Sequence, residues 1–158
     1  MSKDRIQQII KNYSMESHPE GGFYKETYRG PLEINNRSNA TSIYFLLDGN
    51  NVSHFHSIKS DELWYFHEGD PLRIHMISPH GDYSYADLGG DLDKGQTHQT
   101  LVPAGYIFGS ERLEGSSQYS LVGCVVSPGF DFSDFRLYTE EEILALIPNE
   151  KELASRLT

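Results

Sequence analysis

A chain of 158 residues suffices for one domain whose core buries roughly 70% of the surface its unfolded form would expose. The formal net charge is −10 and the lysines and arginines are scattered, so a phosphate backbone is repelled and nucleic acid is excluded as an expected partner. No apolar run is long enough to cross a membrane, the first residues have no apolar secretion core, and one cysteine precludes a disulfide framework; a cytoplasmic, reducing location is expected.

In chain order, Ile6, Ile9, Ile10 and Tyr13 recur at a helical period and predict a short amphipathic helix over about 3–13. His18-Pro19-Glu20-Gly21-Gly22 follows. Its paired glycines favour a structural turn into the first strand, ahead of a second reading in which the loop places His18 or Glu20 at the mouth of a pocket. From about 23 to 130 the chain is rich in β-branched and aromatic residues and punctuated by Gly, Pro, Asn and Asp. Strands are predicted at 23–29, 41–47, 51–56, 63–67, 72–77, 83–88, 97–102, 106–108 and 118–126. Many short strands at this spacing argue for an all-β sandwich or barrel. Thr139 and Glu142 form a capping box ahead of Ile143, Leu144 and Ile147, so helices are expected over about 139–157, interrupted at Pro148. Cys124, inside the apolar run LVGCVV, reads as a small core residue.

The chemistry concentrates at His54-Phe55-His56. In a regular strand residues two apart share a face, so both imidazoles are expected on one side and Phe55 on the other. After the polar turn 57–61, Glu62 enters the next strand opposite them. Two histidines and one carboxylate form a facial triad suited to Fe(II) and related divalent ions. Trp64 and Phe66 share the parity of Glu62, so Trp64 is expected near the acid. Gln99 is placed inside, on the face of Leu101 and Pro103, and His98 outside. Tyr119 and Tyr44 are candidate pocket phenols, with a core tyrosine as the plainer alternative.

GNNVSHFHSIKSDELWYFHEG, with Gly49, His54, His56, Glu62 and Gly69, resembles the first motif of the cupin superfamily. GQTHQTLVPAGYIF, with Gly95, Pro103 and Gly105, resembles the second. HPEGGFYKETYR, SIYFLL, HFHSIKSDELWYFHEGDPL, VPAG and LVGCVVSPGFDF, in this order across residues 18 to 132, are similar to the cupin-5 family of largely uncharacterised proteins. The resemblance implies a double-stranded β-helix, the jelly-roll barrel, with short terminal helices. It further implies a homodimer and a polar, aromatic-lined pocket of the kind likened to sugar-nucleotide epimerases. It makes His54, His56 and Glu62 candidate ligands for Fe, Mn, Ni or Zn. The position matching the superfamily's fourth ligand is Phe108, which cannot coordinate a metal.

Three readings follow. The first is a metal-free binder of a small polar metabolite, such as a sugar or nucleotide sugar, acting as an epimerase or isomerase with His54 or His56 as base and Tyr119 as acid. Glu62, Trp64, Gln99, Phe108 and Tyr44 would line its ligand site. The second is a metal-dependent enzyme using His54, His56 and Glu62. The third is a non-catalytic binding module. The fold by itself does not choose among them.

Overall fold

The computed structural model describes residues 2–158. The N-terminal helix α1 spans Ser2–Tyr13. The strands are β1 (Glu16–Ser17), β2 (Phe23–Arg29), β3 (Glu33–Ile34), β4 (Arg37–Ser38), β5 (Thr41–Asp48), β6 (Val52–Ser57), β7 (Asp61–Gly69), β8 (Leu72–Ile77), β9 (Tyr83–Leu88), β10 (Gln99–Val102), β11 (Ile107–Arg112), β12 (Tyr119–Ser127) and β13 (Arg136–Leu137). Helices α2 (Glu140–Leu146) and α3 (Lys151–Arg156) close the chain.

The strands form two antiparallel sheets, ordered β1-β2-β5-β12-β7-β10 and β13-β6-β11-β8-β9, with β3 and β4 paired as a separate ribbon. Apart from β1-β2 and β8-β9, the paired neighbours within the two sheets are not consecutive in the chain, as a jelly roll requires. The interior between the sheets is apolar and aromatic: Phe45, Leu47, Trp64, Leu72, Ile74, Phe108, Val122 and Cys124 pack there. A second cluster lies outside the barrel, where Phe55 and Ile77 meet Ile143, Leu153, Ala154 and Leu157 of the C-terminal segment. A third joins Ile6 and Ile9 of α1 to Leu46, Tyr119 and Leu121 on the outer face of the larger sheet.

Strand parity decides what reaches the interior. On β12 the even-numbered residues Val122, Cys124 and Val126 belong to the interior cluster, so Tyr119 and Leu121 point outward. On β10, Thr100 and Val102 lie opposite the buried Trp64 and Glu62, while Gln99 and Leu101 lie opposite Tyr65 and Leu63 on the outer face. On β5, Phe45 and Leu47 face in and Tyr44 faces out, stacked on Tyr13 with ring centroids 4.3 Å apart.

At α2 the Thr139 side chain accepts from the Glu142 N–H, and the Glu142 carboxylate accepts from the Thr139 N–H. Thr139→Ala removes one half of this reciprocal pair. It is expected to lower stability by about 1 kcal/mol in urea denaturation, without changing the slope of the transition.

Candidate functional site

Glu20 stands at the centre of the site. The segment His18–Gly22 folds back on itself, with the His18 N–H donating to the Gly22 carbonyl and the Gly21 N–H to the His18 carbonyl, both at 3.0 Å. Gly21 has φ +114°, and a Cβ there would lie 2.0 Å from the Val52 carbonyl oxygen, so only glycine allows this loop to press against β6. The turn favoured from sequence is therefore also the device that sends the Glu20 side chain into the barrel.

Inside, Glu20 Oε2 lies 2.7 Å from His56 Nε2 and accepts from the Ser53 hydroxyl at 2.7 Å. The other imidazole nitrogen, His56 Nδ1, donates to the His54 carbonyl at 2.7 Å. Both ring nitrogens thus carry protons and His56 is an imidazolium paired with a carboxylate. Burial alone would raise the Glu20 pKa, but the charge and hydrogen bond of His56 hold it down at about 2. Burial alone would discharge His56, but Glu20 raises its pKa above the ordinary histidine value.

His18 contributes differently. Its Nδ1 accepts the Glu20 N–H at 3.0 Å, and burial lowers its pKa, so the ring is neutral with its proton on Nε2. Aromatic rings surround it: the Tyr24 centroid is 4.7 Å away, and Phe130, Phe132 and Phe135 lie at 6.4, 6.0 and 5.9 Å.

Glu62 reaches the same cavity from β7. It is 8% exposed, and its Oε2 is buried without a hydrogen-bond partner. Burial pushes its pKa up and the negative charge of Glu20 adds to this, outweighing the opposing charge of His56; the result is about 8. The Trp64 indole N–H also favours the ionised form, as the smallest of these influences.

Glu20, His18, His56 and Glu62 line a cavity of about 320 Å³. Its walls include Tyr24, Cys124, Phe130 and Phe135, and exposed Lys25 and Arg29 lie on its rim with exposed Glu16 and Glu26. Arg29 is paired with Glu26 at 2.6 Å. At neutral pH the interior holds one ion pair, one protonated carboxyl and one neutral imidazole, so its formal charge is close to zero.

The structure separates the residues that sequence reasoning grouped. His56 and Glu62 face the cavity, but His54 does not line it. The cause is a β-bulge. Phe108 pairs with His56 and Ser110 with Ser53, so Gly109 alone on β11 faces two residues, His54 and Phe55, on β6. The extra residue breaks the alternation, and Ser53 and His56, three apart, both reach Glu20. His54 clips the Glu20 carbonyl instead, with its N–H and its Nδ1–H each at 2.7 Å.

Tyr119 is not at the cavity as a pocket phenol; it takes the plainer alternative, a core tyrosine with its hydroxyl satisfied. It lies beneath α1 with its hydroxyl donating to Glu68 at 2.8 Å, and burial and that bond raise its pKa. Gln99 is exposed on the outer face, because the apolar Leu101 used to orient it is itself 44% exposed. Tyr44 is outside the barrel as well. Trp64 and Phe108 are interior but do not line the cavity. They pack together at 6.3 Å, and Phe108 supports the His56 ring from 4.2 Å. Glu20 and His18, which the sequence offers only as a second reading of the 18–22 loop, both line the cavity; the paired glycines beside them are the signal for it.

This arrangement does not fit a two-histidine, one-glutamate metal centre. His54 is turned away, both nitrogens of His56 are engaged, and Phe108 stands at the fourth position. Among the described residues no group of three or more His, Cys, Asp or Glu side chains is placed to hold an ion.

A jelly-roll barrel enclosing a polar, aromatic-walled cavity defines a cupin. The chain belongs to the Cupin_5 family, cupin superfamily (DUF985), whose model matches residues 7–138. Protein SO0799 from Shewanella oneidensis is 47% identical and superposes with a TM-score of 0.90 over 96% of each chain. The uncharacterised protein YML079W of Saccharomyces cerevisiae is 29% identical over 92% of this chain and 82% of its own length. The fold likeness extends to oxalate decarboxylase from Bacillus subtilis, a protein with Mn(II) centres. That chain is 18% identical with a TM-score of 0.59, over 92% of this chain and 38% of its own. Among the described residues no helix is long and apolar enough to cross a membrane.

The Glu62 pKa has a thermodynamic consequence of definite sign. A folded-state value of about 8 against an unfolded value near 4.5 means the folded protein binds the extra proton between those limits. Stability is therefore lost as pH rises from about 4.5 through about 8. Glu62→Gln, which mimics the protonated acid, is expected to flatten this dependence. It should exceed wild type by a few kcal/mol (order of magnitude) at pH ~8.5, but not at pH ~5, in urea denaturation. Glu20 acts oppositely: its stabilisation is present above about 4.5 and is lost as pH falls towards about 2.

Proposed function

We propose that this protein binds a small polar metabolite in the barrel cavity and isomerises or epimerises it by proton transfer through Glu62. The observation that carries this reading is the buried Glu62 carboxyl with an unpartnered oxygen at the cavity wall. A native interior rarely leaves such a group unsatisfied, and a ligand oxygen or acidic carbon is a suitable partner. With a pKa of about 8, roughly a tenth of Glu62 is ionised at pH 7, enough to supply both protonation states near neutrality.

The Glu62 carboxylate takes a proton from a carbon beside a carbonyl. The electron pair moves onto the carbonyl oxygen, where the His56 imidazolium charge and the His18 Nε2–H favour negative charge. Return of the proton from Glu62 to the former carbonyl carbon, with the neighbouring hydroxyl proton passing to the former carbonyl oxygen, gives the isomer; return to the original carbon gives the epimer only when the planar intermediate turns its other face to Glu62. The cavity volume is at the small end for ligand sites and suits a monosaccharide-sized molecule. Tyr24, Phe130 and Phe132 offer faces for its apolar side, and Lys25 at the rim suits an anionic substituent such as the phosphate of a sugar nucleotide.

Incorporation of solvent deuterium into a panel of aldoses, ketoses and sugar nucleotides, followed by NMR, tests this. Wild type should label at least one carbon adjacent to a carbonyl, and Glu62→Gln should slow labelling by about 100-fold or more. Tyr119→Phe should leave it unchanged. Labelling insensitive to Glu62→Gln rejects the role of the acid, and tight binding of a sugar without any labelling supports a non-catalytic binding protein instead. The Mn(II) centres of oxalate decarboxylase keep a metal-dependent reading in view for the fold. Here it requires His54 to turn inward and Glu20 to release His56, and elemental analysis of protein purified without chelator separates the two readings.

The chain is further proposed to form a homodimer. Leu101 is 44% exposed beside half-buried Leu63 and Tyr65 on the outer face of the larger sheet, next to the unpaired edge of β10. Light scattering should give twice the 18.0 kDa chain mass. Leu101→Lys should shift it to the monomer, and a monomeric wild type overturns the proposal.

A further inference from the structure

We infer that the C-terminal segment decides which β6 histidine enters the cavity, by holding the β6 bulge through the carbonyl of Leu157 and the buried ring of Phe55. The inference rests on the reading of the Glu20–His56 pair as part of the functional site, and it assigns positioning residues that do not touch a ligand.

The bulge leaves Phe55 without regular partners on β11, and the C-terminal segment supplies them. The Phe55 N–H donates to the Leu157 carbonyl at 2.8 Å, and the Phe55 carbonyl accepts from the Tyr138 N–H at 3.1 Å. Both main-chain groups of a fully buried residue are thereby satisfied from outside the barrel sheet. The ring is held in the same way, being 0% exposed among Ile77, Ile143, Leu153, Ala154 and Leu157.

Gly109 shows how closely the three segments meet. A Cβ on it would lie 2.8 Å from the Ser53 carbonyl oxygen, 3.1 Å from Leu157 Cδ2 and 3.2 Å from the Phe55 nitrogen. Only a residue without a side chain lets the bulge and Leu157 close over β11 together.

The alternative state follows from strand geometry. Without the extra residue looped out, positions 54 and 56 return to a common face, as period-two alternation demands. The His54 ring then leaves the Glu20 carbonyl, which it and its own N–H now hold from β6. The position of Glu20, and with it the partner of His56, therefore depends on a contact made by residues about 100 positions away in sequence.

NMR of the full-length protein tests this with two readouts that need no turnover: hydrogen exchange of the Phe55 amide, and the side-chain ¹⁵N signature of the His54 Nδ1–H tautomer. Leu157→Ala should speed Phe55 exchange by about tenfold or more relative to the amides of Ile74 and Met76, and should erase the His54 signature. Leu157→Ile should preserve both. Should Leu157→Ala fail to fold, the same measurements on Gly109→Ala decide, with the same losses expected. A folded variant whose Phe55 amide is unaltered, or whose amide is freed while His54 keeps its tautomer, overturns the inference. Absence of deuterium labelling in any sugar would defeat the proton-transfer reading and leave these readouts untouched.

Discussion

The hydrogen bond between His56 Nε2 and Glu20 Oε2, 2.7 Å long and closed off from solvent, joins a strand of one sheet to a loop leading into the other. Each partner would lose its charge if buried alone, and each keeps it because the other is present. Such a pair adds little net stability, since desolvation cancels most of the attraction, but removing one member strands the other. Its effect is geometric. It draws the His18–Gly22 loop over the cavity, stations the neutral His18 ring among the aromatic walls, and sets the negative charge that keeps Glu62 protonated.

Glu62 is thus coupled to a residue distant in sequence. Two carboxyls in one desolvated space do not both ionise readily, and the one lacking a cationic partner holds its proton. Glu20 is ionised because His56 and Ser53 face it; Glu62 remains protonated to about pH 8 because nothing equivalent faces its Oε2. One ion pair therefore divides the acids into a fixed charge and a protonated carboxyl, and environments that push two titratable groups apart in this way are a physical signature of acid–base sites.

The barrel was legible because its signals are local. Strand runs such as 72–77 and 83–88 coincide with β8 and β9, and the Thr139–Glu142 box closes as the residue types require. Glu62 and Trp64 point inward because β7 alternates regularly past them. Parity without an anchor was less informative: Leu101 is apolar yet exposed, so orienting Gln99 by it inverted β10, and Tyr119 followed the outward face of Leu121. His54 failed for a deeper reason. Its two-residue spacing from His56 predicts a shared face only in an unbulged strand, and the bulge is held by Leu157 and permitted by Gly109, neither of which is near in sequence.

That dependence bears on how the motif is read. His-x-His followed by Glu is a statement about residue types, whereas coordination requires their lone pairs to converge on one point. Here the motif is complete in sequence and its convergence is undone in space, with a carboxylate from the Gly-rich loop facing the nitrogen that an ion would otherwise occupy. The Glu20 carboxylate and a divalent cation make opposite demands on His56: the first requires a protonated Nε2, the second a bare one. A chain that commits this nitrogen to Glu20 keeps His56 as an imidazolium, and of the two buried carboxyls it is Glu62 that holds a proton near neutral pH.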